Sequence, residues 1–372
     1  MLGLESWQAQ VTVSTVDAVL GLIQNRRRGL FSSPALVNGA FVFDEIHQYD
    51  DDLFDALVHF LEVFRGAPTL LMTASLQASR FERLCATVGS LGEELSVVNG
   101  PPDLEGYARY TLSTVTKTEV QSAARKALAN GQKVLWVSNR VRRCQAVGAA
   151  SGWTAPALLY HSRYRYVDRV QRHRAVIEAF GVNRAVLAST TQVCEVSLDL
   201  SADLLITDLA TVPALIQRLG RLNRVHPDSG PKRALVIPVE DKDALPYTGT
   251  DLELARAWLT VLGNGPVSQR DLAEAFERLA PADPPRQQRG SAWIEGGPVA
   301  APAELREAGT TINVLRAEDA ADRSADAVLL NAIPMPFRPV LKELRSWERT
   351  GAALIAPAER IQYDPLTGAA WA

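Results

Sequence analysis

Short apolar runs that scarcely alternate constrain this 372-residue chain more than anything else in it. AFVFDE (40–45), TLLMTAS (69–75), KVLWVS (133–138), AVLAST (185–190), DLLITD (203–208) and ALVIPV (234–239) each carry three or more adjacent apolar residues. A strand with one wet face would alternate, so runs like these belong to strands covered on both sides, as in a parallel sheet sandwiched by helices. VTVST (11–15), LSVVN (95–99) and ALLYH (157–161) read as further strands of the same kind. Between them lie helical patterns. In DDLFDALVHFLEVF the residues Leu53, Leu57, Phe60, Leu61 and Phe64 fall on one face. Others cover about 119–130, from Arg140, 165–179, 213–222, 250–262 and 268–279.

The pattern predicts an α/β chain with two parallel-sheet lobes followed by a helical and α+β accessory region. The turn-rich NGPPDLEGY (99–107) is a candidate boundary, and we place the domains at 1–112, 113–240 and 241–372. Three scattered cysteines fit neither a disulfide framework nor a zinc site and suit a reducing, cytoplasmic setting. No apolar run reaches membrane-spanning length, so no membrane partner is expected. A formal net charge of −3 gives no global pull toward nucleic acid, which leaves only a local basic groove for such binding.

Two stretches carry chemistry. The second strand runs into Asp44-Glu45-Ile46-His47. An acid pair delivered to the carboxyl edge of a sheet suits a magnesium ion held largely through water by Asp44 and an attacking water oriented by Glu45. His47 follows, placed to sense the state of the site. D-E-x-H also ends ordinary strands, so by itself it is only suggestive. The next strand ends in Thr73, Ala74 and Ser75, whose hydroxyls suit coupling between neighbouring sites. Farther on, QRLGRLNR (217–224) spaces Arg218, Arg221 and Arg224 three apart, a ridge if helical, with Gly220 permitting close approach. Forked, permanently charged guanidiniums suit the charge on a transferring phosphoryl group.

In this order, D-E-x-H, T-A-S, STTQVCEVSLDLSADLLITDL and Q-R-x-G-R-x-x-R resemble a superfamily-two DExH helicase. The block 188–224, with VSTVDAVL (13–20), LLYHSRYRYVDR (158–169) and DEIHQYDD, is similar to the helicase part of the type I CRISPR helicase–nuclease. The resemblance covers about residues 10–240. The tail, with TINVLRAEDA, IPMPFRP and YDPLTGAAW, resembles the accessory region of a compact subtype. It implies two RecA-like lobes, the first incomplete, with ATP and Mg²⁺ as cofactors. By position, Asp44 and Glu45 serve magnesium and water, Asp199 meets the nucleotide sugar, and Gln217, Arg221 and Arg224 face the γ-phosphate. Thr15, Arg140, His161, Arg163, Thr190 and Thr191 match positions that contact a DNA backbone. Single-stranded DNA and an RNA-guided CRISPR surveillance complex are the implied partners.

The pattern breaks in one place. These residues contain no G-x-x-x-x-G-K-[ST] phosphate loop, and the first lysine is Lys117. The resemblance places that loop and its strand before VTVST. The first lobe is therefore expected to expose apolar strand edges, to be marginally stable, or to take the strand from a separate polypeptide. No histidine is followed by aspartate, so no HD nuclease is expected in this chain. The leading expectation is an N-terminally truncated ATP-dependent DNA translocase of antiviral defence, weakly active or inactive alone. A non-catalytic nucleic-acid-binding scaffold and a DExH RNA helicase are the alternatives.

Overall fold

The computed structural model describes residues 6–24, 29, 32–73, 76–225, 230–240, 245–279 and 311–372. Contacts divide the chain into two compact units, one running to Asn99 and one comprising Gly100–Leu279 with 311–372.

In the first unit, β1 (Phe41–Phe43) and β2 (Thr69–Leu71) pair in parallel, with Phe43 opposite Leu71. The crossover is the helix Asp51–Val63, whose N-cap Asp50 accepts from the Leu53 amide. Phe60 on that helix meets Phe41 and Phe43 edge-on at 4.8 and 5.1 Å. Alternation then turns Val42 and Leu70 to the opposite face, where they are 65% and 53% exposed. Two strand expectations fail here. VTVST is irregular chain leading into the helix Val16–Leu20, and LSVVN is irregular as well. A strand is stabilised by its ladder, and among the described residues neither segment takes part in one. AFVFDE shortens to three strand residues because Glu45 turns left-handed.

The second unit is built on a seven-stranded sheet of β3 (Ala108–Thr114), β4 (Lys133–Val137), β5 (Ala157–Tyr160), β6 (Val186–Thr190), β7 (Leu204–Asp208), β8 (Lys232–Ile237) and β9 (Pro266–Ser268). Its order is β5-β6-β4-β7-β8-β3-β9, parallel except for β9 against β3. β4, β6 and β7 lie inside the sheet and are buried along almost their whole length, which their unbroken apolar sequences require. The helix Lys117–Ala129 starts on a capping box between Thr116 and Glu119.

The expected boundary at 112/113 falls inside β3, a strand of this sheet, and the units instead separate at Asn99–Gly100 within the turn-rich segment. The region expected as a separate accessory domain also joins this unit. β9 extends the sheet, and Trp258, from the helix Gly249–Leu262, is wholly buried. Farther on, β10 (Thr311–Arg316), β11 (Ile333–Pro336), β12 (Arg349–Thr350) and β13 (Ala353–Ala356) form a small sheet, and β14 (Ile361–Asp364) with β15 (Gly368–Trp371) forms an antiparallel hairpin. The α/β architecture with RecA-like parallel-sheet lobes is the one expected from the sequence.

Candidate functional site

In the first unit, Asp44 is exposed just past the carboxyl end of β1, and its Oδ1 accepts the Glu45 amide at 2.9 Å. Glu45 sits at φ 54°, ψ 41°, a conformation that costs a non-glycine residue about 1 kcal/mol or more. That turn brings its Oε2 to 3.4 Å from His47 Nδ1, which also lies 3.1 Å from Thr73 Oγ1. The ends of β1 and β2 are thereby joined through one imidazole. Burial lowers the His47 pKa against the opposing pull of Asp44. Asp44 and Glu45 offer hard oxygen donors, and among the described residues no group of three or more His, Cys, Asp or Glu side chains forms a metal cage. This set fits magnesium, which keeps most of its shell as water and phosphate. Thr15 is exposed at the N-cap of its helix and makes no side-chain cap bond there. Ser75 lies outside the described residues.

The arginine ridge in the second unit is not a ridge. The helix Val212–Leu219 carries Gln217 and Arg218 and ends at Gly220, so Arg221 and Arg224 lie beyond it. The chain instead runs beside residues 201–202. Ala202 N–H donates to Arg221 O (2.9 Å), Asn223 N–H to Ala202 O (3.1 Å) and Arg224 N–H to Ser201 Oγ (2.9 Å). This stitching leaves the exposed Arg224 Nε 3.5 Å from Asp199 Oδ1. Arg221 is buried and donates to Glu195 O at 2.6 Å, while Gln217 is half-buried. Asp199, Ser201 and Asn223 border a cavity of about 650 Å³ with Lys133 and Lys232.

Sequence reasoning missed the role of Arg218. It is wholly buried and donates to Glu195 Oε1 (2.8 Å), Thr207 Oγ1 (2.8 Å), Asp208 O (3.1 Å), Asn139 Oδ1 (3.2 Å) and Tyr247 OH (3.0 Å). Burial alone would lower its pKa, but Tyr247 and Glu195 reverse the direction and keep it charged. The available signal was its place inside the helix, on the face shared with Ala214 and Leu215.

Of the residues expected at a DNA backbone, Arg140, His161, Arg163, Thr190 and Thr191 lie at or just past the carboxyl ends of β4, β5 and β6, whereas Asp199 and Arg221–Arg224 lie alongside the start of β7. Arg140 is exposed at the head of the helix Val141–Ala149. Thr190 and Thr191 are wholly buried. Arg163 has its pKa lowered by burial and then by Arg142 and Arg140, which places three guanidiniums in one neighbourhood. His161 is also wholly buried, with Nε2 3.0 Å from Thr367 O and Nδ1 accepting the Arg163 N–H at 3.2 Å. Burial pushes its pKa down to about 4.

A measurable pH dependence follows. Unfolded, a histidine binds its proton near pH 6.5, and here the folded value lies lower, so the contribution of His161 is full above about pH 6.5 and is lost as pH falls toward 4. The urea midpoint of the second unit is expected to fall over that window more steeply in the native chain than in His161→Phe. Parallel pH profiles would show that His161 is not held neutral.

Residues 130–227 match the family model described as CRISPR-associated nuclease/helicase Cas3, C-terminal. A Myxococcus xanthus protein provisionally named CRISPR-associated nuclease/helicase Cas3 is 46% identical over 377 residues, covering 99% of this chain and 50% of its own length. A similarly named Methanocaldococcus jannaschii protein is 27% identical over 240 residues, covering 59% of this chain and 32% of the relative. Among solved structures, T. fusca Cas3 with AMPPNP superposes at a TM-score of 0.75 and 16% identity, covering 98% of this chain and 57% of that one. A chain of a CRISPR RNA-guided surveillance complex, pre-nicking, does so at 0.71 and 16%, covering 99% and 61%. The chain thus spans half or less of the length of these two relatives. It carries a Cas3-like C-terminal helicase domain and is a homologue of proteins named CRISPR-associated nuclease/helicase Cas3.

Proposed function

We propose that this chain supplies most of an ATP-driven translocase that moves along single-stranded DNA in type I CRISPR antiviral defence. The observation that carries the reading is the Glu45–His47–Thr73 connection, which ties a carboxylate poised for nucleotide chemistry to the end of the neighbouring strand. Asp44 would hold Mg²⁺, and Glu45 orients the attacking water. The ion would neutralise charge on the phosphate oxygens. Asp199 takes the sugar, and Gln217, Arg221 and Arg224 take the γ-phosphate. Thr15, Arg140 and Arg163 serve the DNA backbone, where donors and positive charge suffice for sequence-independent grip. An RNA-guided surveillance complex delivers the DNA. A polypeptide or segment carrying the phosphate loop, and another carrying an HD nuclease, complete the machine.

The test is a pair of assays. The 372-residue chain is expected to bind oligo-dT with steep salt dependence, yet to hydrolyse ATP at background. Supplying a polypeptide with G-x-x-x-x-G-K-[ST] is expected to produce DNA-stimulated turnover, which Glu45→Gln then lowers at least about 100-fold. Brisk turnover by the chain alone would contradict the need for a separate phosphate cradle. Binding without turnover in the mixture would favour a non-catalytic scaffold, and preference for an RNA competitor would favour a DExH RNA helicase.

A further inference from the structure

We propose that the hairpin of β14 and β15 is the positioning element of the loop 161–165, fixing both peptide groups of Arg163, and that His161 is the neutral connector between them rather than a phosphate ligand. This rests on the DNA-backbone reading of the loop given above. Thr367 O can only accept, so His161 Nε2 carries the proton; Arg163 N–H can only donate, so Nδ1 is bare. A single neutral tautomer satisfies both, in a side chain with no solvent exposure. From the other side of the residue, Ala369 N–H donates to Arg163 O at 2.8 Å. The hairpin therefore holds the amide of Arg163 through His161 and its carbonyl directly.

Neighbouring contacts tighten the same joint. Tyr164 stacks on His161 at 4.5 Å and 19°, and its hydroxyl donates to Leu366 O at 2.9 Å. The Gln145 amide donates to Thr367 O at 2.8 Å. Gly368 is left-handed at φ 77°, and a Cβ there would stand 2.4 Å from His161 Cε1 and 2.7 Å from Arg163 O, so only glycine seats the hairpin this closely. Opposite Ala369, the hairpin is anchored by Tyr363. The guanidiniums of Arg165 (5.1 Å) and Arg316 (4.8 Å) lie over its ring, and its hydroxyl bonds to Asp168. A backbone fixed in this way holds the Arg163 guanidinium beside Arg140 and Arg142 despite their mutual repulsion, and a phosphate chain relieves that repulsion.

The experiment is a double-mutant cycle on oligo-dT binding by the full 372-residue chain. Arg163→Ala is expected to weaken binding about tenfold and to lower the log–log salt slope by about one. His161→Phe keeps the ring stack but loses both hydrogen bonds. It is expected to reproduce most of both effects, and the double variant to be no worse than Arg163→Ala. Tyr164→Phe, a milder change that keeps the stack, is expected to weaken binding about two- to threefold, which keeps the test alive should His161→Phe misfold. Native affinity and slope in Tyr164→Phe and His161→Phe would overturn the proposal, as would additive losses showing that His161 meets phosphate itself. No binding by the native chain, or an Arg163→Ala variant identical to it, would overturn the DNA reading and the proposal together.

Discussion

Arg218→Met is expected to destabilise the second unit by about 3–5 kcal/mol, while Arg224→Ala, in the same motif, changes stability by no more than about 0.5 kcal/mol. The difference follows from burial. Removing the Arg218 guanidinium leaves the Glu195 carboxylate, half-buried and previously paired at 2.8 Å, without its cation, and strands the acceptors on Asn139, Thr207 and Asp208. These partners come from three separate segments, so relaxation of any one cannot satisfy the others. Arg224 is exposed, and its pair with Asp199 is exposed as well. Arg218→Lys is expected to recover little, because an ammonium cannot donate in the guanidinium's planar fork. Urea unfolding followed by tryptophan fluorescence reads mainly this unit, since five of the seven tryptophans, Trp136, Trp153, Trp258, Trp347 and Trp371, belong to it. A Met variant within 1 kcal/mol of the native chain, on the order of an ordinary surface change, would show that the buried network contributes little.

The three arginines explain where sequence reading succeeds and where it stops. Their spacing marks a candidate motif, but spacing alone cannot show that the helix stops at Leu219, which separates a buried anchor from two residues outside the helix. The interior strands were legible because burial on both faces leaves an unbroken apolar signature, and the helix starts because capping boxes such as Thr116–Glu119 are local. VTVST and LSVVN carry the same signature and yet form no ladder among the described residues, because a strand needs a neighbour that its own sequence does not specify. His47 against Thr73 was foreseeable from two strand ends on one sheet edge. His161 under Thr367 was not. The partners are 206 residues apart, and the bond runs to a main-chain carbonyl that any residue would supply.

The first unit is expected to open far more readily than the second. Hydrogen–deuterium exchange should show amides of the helix Asp51–Val63 exchanging at least about 100-fold faster than those of β4, β6 and β7, although both sets lie in regular structure. The helix is well made locally: Phe54 and Phe60 are buried, Arg80 donates to Tyr49 O at 2.6 Å and to Asp51 at 2.7 Å, and Arg83 pairs with Asp55. What it packs on is thin. The described sheet beneath it has two strands of three residues, a size that is marginal in water, whereas the second unit has seven strands. The far face of that sheet leaves Val42 at 65% and Leu70 at 53% exposure, area that adds nothing to folding until something covers it. A polypeptide carrying the phosphate loop is therefore expected to slow exchange in Asp51–Val63 when added, and Val42→Asp to abolish that effect without altering exchange in the chain alone. Equal protection of the two units in the isolated chain would show that the first is already complete.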